Sequence, residues 1–224
     1  MIGCLGGIES SGTSQQSQAV RVEGASGAVA MGAGFYHGCV LRTDGKLFCW
    51  GLNNQGQLGI GTTADQHNLA AATAVTFPST DATIQPVELA VGGYHACARL
   101  SNGKVFCWGS NVYGQLGDGT SNNNRLSPVQ VNFGTGVLAR SIAAGSNHTC
   151  AVLSNGTARC WGWNTNGQIG DNSLNPSSTP REVKIAGSTT ALDELVSITA
   201  GGYHTCALTV RGAVHCWGIH FTVT

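Results

Sequence analysis

Gly92-Gly93-Tyr94-His95-Ala96-Cys97-Ala98-Arg99-Leu100-Ser101-Asn102-Gly103-Lys104-Val105-Phe106-Cys107-Trp108-Gly109 is the stretch whose reading decides the fold. Ser101-Asn102-Gly103 separates two runs of alternating residues, and glycine takes the positive φ that closes a three-residue hairpin loop without a Cβ penalty. Folding the chain about that loop sets Cys97 opposite Cys107, Ala98 opposite Phe106 and Ala96 opposite Trp108, so a small residue faces the indole. Directly opposed strand positions have Cα atoms about 4.5 to 5.5 Å apart, inside the range a disulfide accepts.

The same line occurs four times, at His37/Cys39/Cys49/Trp50, His95/Cys97/Cys107/Trp108, His148/Cys150/Cys160/Trp161 and His204/Cys206/Cys216/Trp217. From Trp to Trp the steps are 58, 53 and 56 residues, a period that belongs to stacked or circularly arranged supersecondary units. The small partner of the indole is Gly38, Ala96, Thr149 or Thr205 in turn. After Trp-Gly comes Asn-x-x-Gly-Gln-Leu/Ile-Gly, at Asn53 to Gly59, Asn111 to Gly117 and Asn164 to Gly170, where the amide is expected to bond local backbone in a tight turn. A connection of variable length follows, then a short extended piece such as Pro128-Val129-Gln130-Val131, then an apolar run into the next Gly-x-x-His. About four strands per unit is the content of one propeller blade, so the fold class is all-β, a β-propeller.

The repeat runs through the whole chain, which therefore reads as one domain over 1–224. Its units are 1–27 (a half unit), 28–85, 86–138, 139–194 and 195–224 (a half unit). The fourth unit ends at Trp217-Gly218, while the chain opens on Gly3-Cys4-Leu5-Gly6, which matches Gly-Gln-Leu-Gly with Cys4 in place of Gln. Ala19-Val20-Arg21-Val22 likewise parallels Pro128 to Val131. Either these first strands complete the last blade and close a ring, or the units belong to a longer array; the absence of a polar capping unit favours the array. Cys4, the ninth cysteine, has no evident partner.

With 42% hydrophobic residues and 10% charged ones, the chain has material for a core and too little charge for disorder. Net charge is zero and the basic residues are scattered, which gives no footprint for nucleic acid. No run approaches the roughly 18 apolar residues of a spanning helix, so no membrane insertion is expected. The opening Met1 to Ile8 is short, glycine-broken and lacks a basic residue, so it is not read as a secretory leader.

Gly-x-x-His, the glycine turn and Trp-Gly-x-Asn-x-x-Gly-Gln-Leu-Gly resemble the regulator of chromosome condensation repeat family, over residues 1 to 218. That resemblance implies a propeller of four-stranded blades around a channel, usually seven of them. Members of the family include an exchange factor that docks on nucleosomes, an inhibitor of β-lactamases and a plant photoreceptor, so a shared fold does not carry a shared job. Only Trp163 stands outside the repeat, which does not suggest the photoreceptor's tryptophan cluster. The paired cysteines look like those of exported bacterial members, which implies an extracellular or cell-envelope location, the alternative being cytoplasmic.

His beside Cys suggests a catalytic dyad, but a dyad occurs once per site and His37, His95, His148 and His204 occur once per blade. They are read as structural, buried and satisfied by backbone between blades, with no catalytic residue expected. His-x-Cys with a later Cys offers three zinc ligands but no evident fourth. Disulfides Cys39–Cys49, Cys97–Cys107, Cys150–Cys160 and Cys206–Cys216 are the favoured reading, with bound metal or reduced packed thiols as alternatives. Phosphate-loop and His-Glu-x-x-His patterns are absent, and no cofactor is expected. Asp118-Gly119-Thr120 reads as a turn rather than a calcium site.

The expected function is a non-enzymatic module that binds a protein partner through the segments where the repeats differ, 60–86, 118–127 and 171–179. Guanine nucleotide exchange on a small GTPase and a structural extracellular or envelope repeat are the alternatives.

Overall fold

The computed structural model describes residues 21–67, 72–78, 81 and 83–219, and over them every strand pairs antiparallel to its neighbours. The first sheet holds β1 (Ala28–Ala33), β2 (His37–Arg42) and β3 (Leu47–Gly51). The second holds β4 (Pro86–Val91), β5 (His95–Leu100), β6 (Val105–Gly109) and β7 (Arg125–Gln130). The third runs from β8 (Ala139–Ala144) through β9 (His148–Leu153) and β10 (Ala158–Gly162) to β11 (Ser177–Glu182), and the fourth holds β12 (Leu195–Ala200), β13 (His204–Thr209) and β14 (Val214–Gly218). Sheets two and three are complete four-stranded blades. In the first, isolated bridges Phe48↔Ala74 and Gly51↔Gln66 stand where the outer strand would run.

Register follows the cysteine frame. Cys39, Cys97, Cys150 and Cys206 lie directly opposite Cys49, Cys107, Cys160 and Cys216, and Gly38, Ala96, Thr149 and Thr205 lie opposite the four tryptophans. The hairpins close on Gly45, Gly103, Gly156 and Gly212 at φ 73 to 83°, each amide donating to the carbonyl three residues back. Pro128 and Pro180 sit in β7 and β11, outermost strands, where a missing N–H leaves no ladder bond unmade.

The core lies between blades rather than within them. One cluster joins Val105, Leu116 and Val131 of the second blade to Ile142, Leu153 and Trp161 of the third, and equivalent clusters join the first to the second and the third to the fourth. Phe77 and Phe133 stand edge-on to Trp108 and Trp161, with centroids 6.0 and 5.6 Å apart. The inner strands meet at the axis, where Phe35 N–H donates to Gly93 O (3.0 Å), Gly93 N–H to Ser146 O (3.1 Å) and Ser146 N–H to Gly202 O (3.3 Å).

The four sheets form an arc, and among the described residues no strand pairing joins the first sheet to the last. Val29 and Met31 are exposed at one end of it, Leu208 and Val214 at the other. Cys4, the Gly3 to Gly6 match and most of the half unit 1–27 lie outside the described residues. Within that half unit, Val22 packs against Val40 and Trp50, the place the repeat gives Val131 beside Trp161.

The first glycine of each Gly-x-x-His is fixed by crowding. A Cβ on Gly92 would stand 2.2 Å from the His95 ring and 2.6 Å from Gly145 O. Gly92→Ala is expected to lower stability by about 1 to 3 kcal/mol in urea unfolding. Gly202→Ala, whose nearest new neighbour is Ser146 Oγ at 3.4 Å, should stay within about 0.5 kcal/mol of the parent.

Candidate functional site

The chemistry-bearing residues of the repeat converge on one node between each pair of blades. The main-chain carbonyl of Gln115, in the second blade, accepts Trp161 Nε1–H (2.9 Å) and the Thr149 hydroxyl (2.8 Å), both from the third. Thr149 Oγ1 lies 2.9 Å from His95 Nε2. The hydroxyl's single proton goes to Gln115 O, so His95 carries its proton on Nε2 and donates to Thr149. One blade on, Gln168 O accepts Trp217 Nε1–H and the Thr205 hydroxyl, and His148 Nε2 donates to Thr205 at 2.9 Å.

These histidines are therefore bonded by the next blade's side-chain hydroxyl, not by backbone. Between the first and second blades the node is incomplete: Trp108 Nε1–H donates to Gln57 O, but Ala96 occupies the threonine position. Both ring nitrogens of His37 are buried without a hydrogen-bond partner in good geometry, and burial outweighs the nearby His95 backbone, which favours the charged form. His204 departs from the expected burial. It is exposed, with Cys206 and Trp217 half-buried and Cys216 exposed, because no further blade covers the fourth sheet among the described residues.

Burial disfavours imidazolium and holds the pKa of His37 and His148 down to about 4 and of His95 to about 3. Repulsion from His148 and His37 adds to the shift at His95, and from His204 at His148. A neutral, buried imidazole donating to a hydroxyl is a structural strut.

The eight repeat cysteines are bonded as Cys39–Cys49, Cys97–Cys107, Cys150–Cys160 and Cys206–Cys216, with Cα atoms 4.0 to 4.1 Å apart. That is closer than the spacing expected from sequence. Sulfurs so bonded supply no thiolate for attack or for metal.

Buried Asn53, Asn111 and Asn164 hold the loop after each Trp-Gly. Each side-chain oxygen accepts the amide of Leu58, Leu116 or Ile169, while each Nδ2 donates to the variable segment, to Thr62 O and Ala64 O, to Thr120 O, and to Ser173 O and Asn175 O. Asp118-Gly119-Thr120 is a turn: Thr120 N–H and Oγ1–H donate to Asp118, which also pairs with Arg125 at 2.7 Å. Burial opposes ionisation of Asp118, yet these partners together hold its pKa below the usual carboxylate value.

All of these connections leave the sheets at one end. Leu52 N–H, Ser110 N–H, Trp163 N–H and Ile219 N–H donate to Tyr36, Tyr94, Asn147 and Tyr203 carbonyls, which places the Gly-x-x-His loops on the same rim. Residues 60–86 are not all free loop, since Val75 is buried and Phe77 packs on Trp108.

Comparison with known proteins agrees with this geometry. A family model described as the regulator of chromosome condensation (RCC1) repeat matches residues 44–99, 102–152 and 155–208. The chain is 32% identical over 184 residues to the human probable E3 ubiquitin-protein ligase HERC6, covering 81% of this chain and 17% of that protein. It is 31% identical over 183 residues to the Arabidopsis thaliana ultraviolet-B receptor UVR8, covering 81% and 39%. Among solved structures, human WBSCR16 superposes with TM-score 0.77 at 22% identity, over 96% of this chain and 53% of that one. Yeast RCC1 (Prp20) bound to Kap60 superposes with TM-score 0.66 at 24% identity, over 85% and 43%. The chain thus spans under two fifths of the length of those two curated relatives and about half of each solved chain.

Two outcomes follow from the node. Ala96→Thr supplies the hydroxyl that His37 lacks and should stabilise the protein by about 1 kcal/mol, whereas Thr149→Val should destabilise it by about 1 to 3 kcal/mol, both read from denaturant midpoints. The unfolded chain binds protons on these histidines near the ordinary 6.5, and the folded chain resists them until about 4. Stability from their neutrality is complete above about pH 6.5 and is lost as pH falls toward 4, so the melting temperature should drop across that window.

Proposed function

The chain belongs to the regulator of chromosome condensation (RCC1) repeat family, and on that premise we propose that it acts without catalysis, binding a protein partner through the variable connections of its loop-bearing rim. One observation carries the reading. The eight repeat cysteines are held in disulfides and His95 and His148 serve as struts, while the segments that differ between repeats are all tethered by Asn53, Asn111 and Asn164 to one rim. A rigid frame presenting dissimilar loops on one face suits recognition.

The yeast relative was solved with a bound protein, which supports the choice of partner class. Activities in the names of the curated relatives belong to proteins of which this chain spans a minor part. Four disulfides in so short a chain favour an oxidising compartment, extracellular or cell-envelope, over the cytoplasm that exchange on a small GTPase requires.

Thr63, Asn123 and Leu174 are exposed tips of three of these connections. The triple variant Thr63→Lys, Asn123→Lys, Leu174→Lys should melt like the parent and fail to retain a protein that the parent captures under oxidising conditions. Retention of the same proteins by both would overturn the proposal.

A further inference from the structure

The loop-bearing rim differs in chemistry from the opposite one. Its Gly-x-x-His loops read Gly34-Phe35-Tyr36-His37, Gly92-Gly93-Tyr94-His95, Gly145-Ser146-Asn147-His148 and Gly201-Gly202-Tyr203-His204. The turns after the tryptophans read Gly51-Leu52-Asn53-Asn54-Gln55, Gly109-Ser110-Asn111-Val112-Tyr113 and Gly162-Trp163-Asn164-Thr165-Asn166. None of these residues is Asp, Glu, Lys or Arg. All four tyrosines of the chain are here, with the single tryptophan that the repeat does not require. The hairpin turns at the opposite rim carry Arg42, Asp44, Lys46, Lys104 and Arg211 instead.

The aromatic side chains form a ridged surface. Phe35 meets Tyr94 edge-on at 5.4 Å and 82°, Tyr36 leans on Tyr94 at 5.9 Å and 45°, and Tyr113 leans on Trp163 at 4.2 Å and 53°. Phe35 and Tyr203 are about half exposed, and Tyr36, Tyr94, Tyr113 and Trp163 are partly so. Trp163 Nε1–H bonds Thr165, but no hydrogen bond within the described chain reaches any of the four phenol hydroxyls. Beside them the inner-strand ends frame a groove of about 250 Å³ lined, apart from Phe35 and Val91, by glycine, alanine and serine, none of them charged. Of the charges on the adjoining connections, Asp118 pairs with Arg125 and Asp171 with Arg181, while Asp65 accepts the Asn53 backbone N–H.

We infer that this tyrosine-rich, charge-free rim is the docking face, and that it takes a protein segment whose contacting residues are uncharged, with apolar groups seated among the rings and polar groups bonded to the tyrosine hydroxyls. The inference deepens the protein-binding reading above and rests on it. Charge matching selects the occupant: a partner's carboxylate or ammonium buried among these loops and turns would lose its water and meet no counter-ion among their residues. These loops and turns offer no Lys or Arg to a nucleic-acid backbone, which needs cations. Tyrosine with Ser, Gly and Asn is the composition of binding loops evolved for protein surfaces, where rigid rings give contact area at small entropic loss and small polar groups adapt. Rings tilted on one another offer no open flat platform for a sugar, which favours protein over neutral glycan.

The test is selection of a displayed library of random linear peptides on the intact oxidised protein, with a neutral oligosaccharide array in parallel. Selected peptides should be depleted of Asp, Glu, Lys and Arg. Their affinity should change by less than about twofold between about 0.05 and 0.5 M salt. It should fall at least about tenfold in Tyr94→Ser/Trp163→Ser, and not in Arg42→Ala on the opposite rim. Should the double variant melt below the parent, Tyr203→Ser, a change at a half-exposed ring, gives the same reading. Charged or salt-sensitive peptides, peptides indifferent to the aromatic substitutions, no enrichment, or binding of oligosaccharides alone would each overturn the inference. Peptides lost only in the loop-tip lysine variant would overturn it while leaving the protein-binding reading intact.

Discussion

One carbonyl per blade boundary carries the rest of the structure. Gln115 O receives an indole N–H and a threonine hydroxyl from the following blade, and that hydroxyl receives His95 of the preceding one, so three side chains and one backbone group settle a single relative position of two sheets. The carbonyl can be aimed there because Asn111 holds the Gly-Gln-Leu-Gly turn from behind through the Leu116 amide. The turn also ends on Gly117, where any Cβ would meet the Trp161 ring at 2.7 Å. Buried, with only His95 Nδ1 and Gln115 Nε2 left without a partner, such a network specifies geometry more than it adds bulk stability.

The disulfides work in the perpendicular direction. Each staples the two central strands of one blade across a short hairpin, and none crosses between blades. A closed loop that short contributes about 2 to 3 kcal/mol in the chain-entropy account. Cohesion between blades is left to apolar packing, to the carbonyl nodes and to the backbone bonds that link successive Gly-x-x-His loops.

Much of this was legible in the letters. The hairpin glycines gave the cysteine register, and the indole's small partner followed from it, because strand pairing has a strict period of two. The bonding of the histidines was not legible, since it depends on which residue of the next blade lies opposite, a relation between units 54 residues apart. Nor was the role of the glutamines, which is double: each side-chain oxygen accepts the amide two residues before it, of Gln55, Tyr113 or Asn166, while each backbone carbonyl serves the node; the recurrence of Gln-Leu/Ile-Gly about 50 residues before Trp108, Trp161 and Trp217 was the available signal. Four equal motifs also implied four equal environments, whereas His204 is exposed because burial comes from a neighbouring blade rather than from the motif. The rim was expected to recognise by its variable loops alone, and only the fold shows the tyrosines gathered beside them.

Hydrogen exchange of the tryptophan side-chain N–H groups, followed by NMR, tests the central claim most directly. Trp108 and Trp161 are fully buried with their indoles bonded across blades, while Trp163 lies partly exposed on the rim. The account predicts that Trp108 and Trp161 exchange only as slowly as the most protected strand amides, and that Trp163 exchanges faster by several orders of magnitude. Exchange of Trp108 and Trp161 at the rate of Trp163 would contradict it.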